Sequence, residues 1–242
     1  MKAFIDTVRP FAPPVLTGAA VAVAGFAPWS ILAPFNARLR PDLPWAALVT
    51  AAFLAFYLAW LNGAGWPKTS REARRYHLRW WRPTPGARSR EGLGLTAVLV
   101  LLLAVLYAAW IALGGSNAPP DLAAYPTTAY RISVVVMGAV VSGVVEEAAF
   151  RGCMQSRLER FGAGTAILAT SVAFALAHAV HGWQALLLLG PGLFLASVLF
   201  GLLAWHTGSI VPGMIVHVLG DLAHTLFGVL RGDWRLLIVP GG

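Results

Sequence analysis

Three short stretches carry side chains whose types and spacing suit chemistry: GVVEEAAFRG (143–152), AFALAHAVHG (173–182) and PGMIVHVLGDLAH (212–224). Each places ionisable groups inside an otherwise apolar run. Carboxylates and imidazoles give and take protons near neutral pH, so the sets suit general acid–base catalysis, a proton relay or a carboxylate–imidazole metal site. A charge left at a bilayer centre costs about 2.5–3.5 kcal/mol on insertion scales, so such groups are expected to face one another or a pocket.

Spacing sorts them. Glu147 and Arg151 stand at i,i+4 with the acid first, the favourable order for a helical ion pair, while Glu146 is rotated by about 100° from that pair. Arg151 then neutralises one carboxylate and leaves the other to the pocket. Phe174, His178 and His181 share one helical face, as do Gly213, His217, Asp221 and His224. Glu146 and His178 each lie sixteen residues from Gly162. In a helical hairpin turning at that glycine both sit about 24 Å from the turn, at equal depth. Gly138, Ser142, Gly143, Ala148, Ala149 and Gly152 are small enough to let their helix pack closely on its neighbours.

The elements that position these groups are expected to be membrane helices. The chain of 242 residues is 58% hydrophobic and 12% charged, with mean hydropathy +0.69, well above the apolar share of a soluble domain. Apolar runs near 13–35, 43–64, 93–113, 130–160, 164–182, 184–204 and 209–230 suggest about seven spans, or eight, in an all-α polytopic bundle, since about 20 helical residues cross the hydrocarbon core. No internal repeat or second domain is visible, so 1–242 reads as one membrane domain: N-terminal spans and a basic loop over 1–129, and a helical core carrying the three stretches over 130–230.

The net charge of +8 is concentrated, with eight of the eighteen Lys and Arg residues in 68–90. Under the positive-inside rule this loop is cytoplasmic, which puts the N-terminus and the RLERFG turn (157–162) inside and the Lys/Arg-free 114–124 outside. Arg38 and Arg40 then lie outside, against the rule. Tyr76, Trp80 and Trp81 are expected to seat the loop at the headgroups. No nucleic-acid module is recognisable, so the expected partners are the lipid bilayer and a membrane-associated protein or peptide. The first apolar run reads as a retained span of a multi-pass protein of the plasma (inner) membrane. The single Cys153 excludes an intramolecular disulfide and a cysteine metal cluster.

EEAAFR (146–151), FALAH (174–178) and HVLGD (217–221) resemble, in order and in helical setting, the EExxxR, FxxxH and HxxxN/D motifs of the CAAX protease and bacteriocin-processing (CPBP) intramembrane endopeptidases, which include the type II CAAX prenyl endopeptidases. The resemblance covers about 130 to 230. It implies that Glu146 and His178 activate a water, that His217 and Asp221 stabilise the oxyanion, and that Glu147, Arg151 and Phe174 support the site. Asp221 stands where many members have Asn; an ionised Asp cannot donate to an oxyanion, so it is either protonated or orients His217. The residue chemistry agrees: hydrolysis of a peptide carbonyl needs a general base for water and a partner for the developing oxyanion. No nucleophile elbow of the GxSxG type occurs. Metal-free glutamate catalysis, with no cofactor, is the favoured expectation. Zinc or another divalent metal on Glu146, His178 and His217 is the alternative, although HExxH is absent. Two other functions compete: a non-enzymatic immunity or scaffold protein that binds a bacteriocin-like peptide, and a proton-coupled carrier.

Overall fold

A computed structural model describes residues 9–79, 87–112 and 127–230, all of it helix, turn and short connection. Eight α-helices follow one another among these residues. A 3-10 turn, Arg9–Phe11, leads into α1 (Ala12–Leu39), with Pro13 and Pro14 in its first turn, where their missing N–H groups and fixed φ do no harm. Then come α2 (Trp45–Leu61), the short α3 (Arg71–Leu78) and α4 (Ala87–Ala112). Next is α5 (Thr128–Glu146), whose N-terminus is capped by the Thr127 hydroxyl accepting from the Tyr130 N–H. The helix continues as a π-helix, Glu147–Gln155, and ends in one α turn (Ser156–Leu158) and one 3-10 turn (Glu159–Phe161). Gly162 then reverses the chain into α6 (Ala163–Ala177), using a φ of +99° that a side chain would resist. A 3-10 turn, His178–His181, leads to α7 (Trp183–Thr207) and then to α8 (Val211–Leu230).

The all-helical architecture with several apolar helices therefore stands, and the described residues account for part of the expected span count. Among the described residues four helices are long and apolar enough to cross a bilayer: Arg9–Leu39, Thr128–Phe161, Ala163–Val180 and Leu189–Thr207. The expected spans 43–64 and 209–230 contain the shorter apolar helices Trp45–Leu61 and Val211–Ala223. At 1.5 Å per residue, the seventeen residues of α2 reach only about 26 Å. Helix α4 occupies the place of the expected span 93–113. Among the expected features, Trp80, Trp81 and most of the 114–128 stretch lie outside the described residues.

The bundle is threaded on α5 and its continuation, which pack against α1, α2, α6, α7 and α8. Asn36, fully buried, fixes the α1–α2 turn: its amide donates to the Arg40 and Leu43 carbonyls at 2.7 and 2.9 Å and its oxygen accepts from the Ala46 N–H at 2.9 Å. Of the small residues expected to permit close packing, Gly143 does so most tightly. A Cβ there would stand 2.6 Å from Val218 Cγ2 and 2.8 Å from its backbone nitrogen on α8. Gly152 likewise faces the Leu78 carbonyl of α3, at 3.2 Å from such a Cβ, whereas Gly138 has open space around it and carries no close approach.

Charged groups tie one end of the bundle together. The guanidinium of Arg79, just past α3, pairs with Glu159, its Nη1 donating to Oε1 at 2.8 Å. The Ser156 hydroxyl donates to the His77 carbonyl at 3.0 Å, and Arg160 donates to the Pro10 carbonyl at 3.1 Å. The N-terminal segment, the basic helix and the 157–162 turn thus share one end, as the charge pattern requires. At the other end the Thr127 hydroxyl bonds the Pro41 carbonyl. Arg40 there is paired with Asp42 at 3.0 Å, which offsets part of the positive charge that the topology found awkward.

Candidate active site

The three stretches converge at the junction of α5 with its π-helical continuation. Glu147 and Arg151 are both 0% exposed, and Arg151 Nη1 donates to Glu147 Oε1 at 3.0 Å. The same Oε1 also accepts from His217 Nδ1 at 3.1 Å, so Glu147 holds two partners where the spacing implied one. Arg151 is held further by Ser197 of α7, its Nη2 donating to the hydroxyl at 2.8 Å and to the carbonyl at 3.3 Å. Its guanidinium lies between two aromatic faces, 4.7 Å from the Phe174 centroid and 5.1 Å from that of Phe200, a cation–π arrangement that planar Arg suits.

Glu146 is placed differently. Its side chain is 13% exposed and its Oε2 stands 3.6 Å from His217 Nε2. Asp221, 38% exposed, places Oδ2 at 3.8 Å from the same nitrogen. The imidazole of His217 therefore has Glu147 on Nδ1 and Glu146 and Asp221 facing Nε2, and it stacks on Phe200 with centroids 5.0 Å apart. Gly213, one turn earlier on α8, makes this possible, because a Cβ there would come within 2.9 Å of Glu147 Oε2.

Helix α6 brings the second stretch. The Phe174 carbonyl accepts from His178 Nδ1 at 2.9 Å, and the two rings lie 4.8 Å apart, so they share a face as their spacing required. With Nδ1 donating to a carbonyl, a neutral His178 carries its acceptor on Nε2. The hairpin arithmetic holds for Phe150 and Phe174, which, each twelve residues from Gly162, meet edge to face at 5.1 Å. His181 and His224 are in described helices, but their side chains lie outside the described residues.

Depth follows from two contacts. Gly152 packs on the backbone of α3 five residues beyond Glu147, and the Ile210 N–H bonds the Arg79 carbonyl seven residues before His217. At 1.5 Å per residue both counts place the cluster about 8–10 Å from the level of the basic helix.

Residues 128–223 match the family model for type II CAAX prenyl endopeptidase Rce1-like proteins. This segment is an Rce1-like domain. No curated protein and no solved structure matches the chain. The match covers 96 of the 242 residues, and the family it names is one of endopeptidases. The Rce1-like domain holds all seven residues singled out above, and it ends within the described part of α8.

Several contributors to the Rce1-like site had no signal in the motifs. Ser197 and Phe200 come from α7, in a stretch without ionisable residues, and the π-helix begins at Glu147 within a sequence that reads as ordinary α-helix. As to metal, Glu146, His178 and His217 offer donors that zinc accepts, and each imidazole has its Nδ1 tied to an oxygen, as in many metal sites. Among the described residues, however, no three His, Cys, Asp or Glu side chains gather into a metal-holding set.

Proposed function

We propose that the Rce1-like domain hydrolyses a peptide bond of a membrane-associated protein or peptide, with Glu146 as the general base toward water. The observation that carries this reading is the unequal fate of two adjacent carboxylates. Glu147 is bound to Arg151 and His217 in a fully buried pair, whereas Glu146 faces His217 Nε2 across 3.6 Å beside Asp221. Glu146 thus has no contact to His217 as short as that of Glu147, and stands close enough to His217 for both to contact one added oxygen after a small adjustment.

In the proposed reaction Glu146 takes a proton from water as the oxygen attacks the scissile carbonyl carbon. Nε2 of His178 accepts the water's other hydrogen bond and orients it. His217, fixed through Nδ1 by Glu147, donates from Nε2 to the developing oxyanion, with Asp221 as its neighbour. As the tetrahedral intermediate collapses the C–N bond breaks, and the proton held by Glu146 passes through His178 to the departing amine. Glu147 and Arg151 touch no reacting atom; they position His217.

In this reading the basic end of the bundle, the N-terminus included, is cytoplasmic in a plasma-membrane protein, which the positive-inside charge pattern supports. Cleavage then occurs about 8–10 Å from the cytoplasmic surface, within reach of a peptide or protein tail lying at that interface. A prenyl group on the substrate is not required by any residue of the site.

The test is cleavage of membrane-anchored peptides by the purified chain, comparing wild type with Glu146→Ala and His178→Ala, with and without a chelator. Both variants should lose activity by at least about 100-fold, the contribution of a positioned acid–base group. Undiminished cleavage in either would overturn the assignment, and chelator sensitivity would move the chemistry to a bound metal. Peptide binding that persists in Glu146→Ala, with no cleavage even by wild type, would favour an immunity or scaffold role instead.

A further inference from the structure

A cavity lies away from the carboxylate cluster. It is an open hollow of about 590 Å³ at the basic end of the bundle, between the first turns of α1, helix α3 and the turn after the π-helix. That volume falls within the about 300–1,000 Å³ range of small-ligand sites. Its walls divide by chemistry. Pro13 and Pro14 supply an apolar side, while Tyr76, His77, Arg157 and Arg160 supply polar and cationic groups. Glu159 also lines it, but that carboxylate is already held by Arg79.

The two arginines have donors to offer. Arg157 gives one N–H to the Cys153 carbonyl at 2.9 Å and Arg160 gives one to the Pro10 carbonyl at 3.1 Å, and each guanidinium carries five. These bonds anchor the side chains at the rim and pre-set the forks that anions recognise. The surroundings reinforce the sign: over 68–79 and 157–160 the sequence has seven Lys and Arg against two Glu. Beyond the apolar wall, α1 continues with Leu16 and Val23, 67% and 70% exposed and two turns apart on a face about 100° around the helix from the cavity-lining Thr17. An occupant with an anionic head and an apolar tail meets both surfaces at once, which a free anion does not.

We infer that this cavity binds the headgroup of an anionic phospholipid, its phosphate between Arg157 and Arg160 and its acyl chains along the Leu16–Val23 face of α1. The site is distinct from the carboxylate cluster and does not depend on the proposed peptidase reaction. The bound lipid joins the N-terminal segment, the basic helix and the turn after the π-helix, the same three segments that the Arg79–Glu159 and Arg160–Pro10 contacts hold.

Native mass spectrometry of the full chain, released from detergent with graded phosphatidylglycerol or phosphatidylcholine, tests this. One phosphatidylglycerol should be retained per chain at concentrations where phosphatidylcholine is not. Arg160→Gln combined with Arg157→Gln should weaken retention about tenfold or more, the scale expected for two cations at an anionic headgroup. Arg157→Lys, which keeps the charge, should retain the lipid and guards against a folding defect. Lys68→Gln with Arg75→Gln removes equal charge from the same end away from the cavity and should change little. Equal weakening in that control would mean diffuse attraction and overturn the site. Saturation by inorganic phosphate, with no preference between the two lipids, would assign a free anion and overturn the lipid.

Discussion

Substitution of Glu147 by Gln removes one charge with almost no change of shape. Its Oε1 receives Arg151 at 3.0 Å and His217 at 3.1 Å, and both members of the acid–arginine pair are 0% exposed. Breaking a buried pair by neutralising one partner costs about 3–5 kcal/mol, because the remaining charge is left uncompensated in a medium that cannot solvate it. Arg151 keeps its two bonds to Ser197 and its two aromatic faces, and the amide oxygen still accepts. The lower end, about 3 kcal/mol, is therefore expected, roughly a 100-fold shift in the folded-to-unfolded ratio. Denaturation in mixed micelles followed by Trp fluorescence reads it. The double variant Glu147→Gln/Arg151→Met removes the stranded charge and should be more stable than Glu147→Gln alone. A Glu147→Gln protein within about 1 kcal/mol of wild type, or a double variant as unstable as the sum of the singles, would refute the pair as described.

Asp221→Asn should retain turnover, because His217 already has Nδ1 fixed by Glu147 and Asn supplies a donor; loss of turnover with the fold intact would assign Asp221 to orienting His217. Gly213→Ala should cost about 1–3 kcal/mol by overpacking, since the new Cβ meets Glu147 Oε2 at 2.9 Å and Phe200 at 3.5 Å, and it should lower activity along with the denaturation midpoint. Gly143→Ala should be comparable in stability, its Cβ meeting the backbone of Val218, whereas Gly138→Ala, in open space, should be neutral. Burial, with Arg157 and Arg79 nearby, pushes the His77 imidazole down to about 4 from 6.5. The unfolded chain then binds a proton that the folded chain refuses, so stability falls as pH drops from about 6.5 toward 4 and is restored above that window. With solvent screening at this half-exposed position the loss by pH 5 should be about 1 kcal/mol, and a His77→Asn variant should show a flatter profile between pH 7 and pH 5.

Pairwise spacing along one helix was legible in the sequence, and so was depth across one hairpin. Glu147 with Arg151, Phe174 with His178, Gly213 with His217 and Phe150 opposite Phe174 all follow from 3.6 residues per turn and a reversal at Gly162. Partners drawn from outside the motifs were not. Ser197 lies 46 residues from Arg151 on an apolar helix, and nothing in a run of Leu, Gly and Ala marks one serine as its acceptor. Span lengths were less legible for a related reason: hydropathy registers an apolar run without registering where the helix ends. The run 43–64 contains a helix that stops at Leu61 after seventeen residues, in a turn where Gly63 adopts a φ of +96°.

The π-helix shows most clearly that the site belongs to the bundle and not to the motif. EAAFRGCMQ is composed largely of good α-formers, so local preference alone would continue α5 in register. All nine residues are buried, and four other helices press on them. Gly18 of α1 accommodates Met154 and the Ala149 carbonyl, the backbone of Leu78 in α3 meets Gly152, Phe174 of α6 covers Arg151, and α7 binds Arg151 through Ser197 and Gln155 through the Gly201 carbonyl. Departures from α-geometry of this kind persist where the surroundings over-determine them, and they gather at functional sites. Here the departure starts between the two glutamates: Glu146 is the last residue of the α-helix and Glu147 the first of the wider one. The tertiary contacts that hold the wider turn thus also hold Glu147 on Arg151 and His217, while Glu146, on the α-helical side of the junction, faces His217 Nε2.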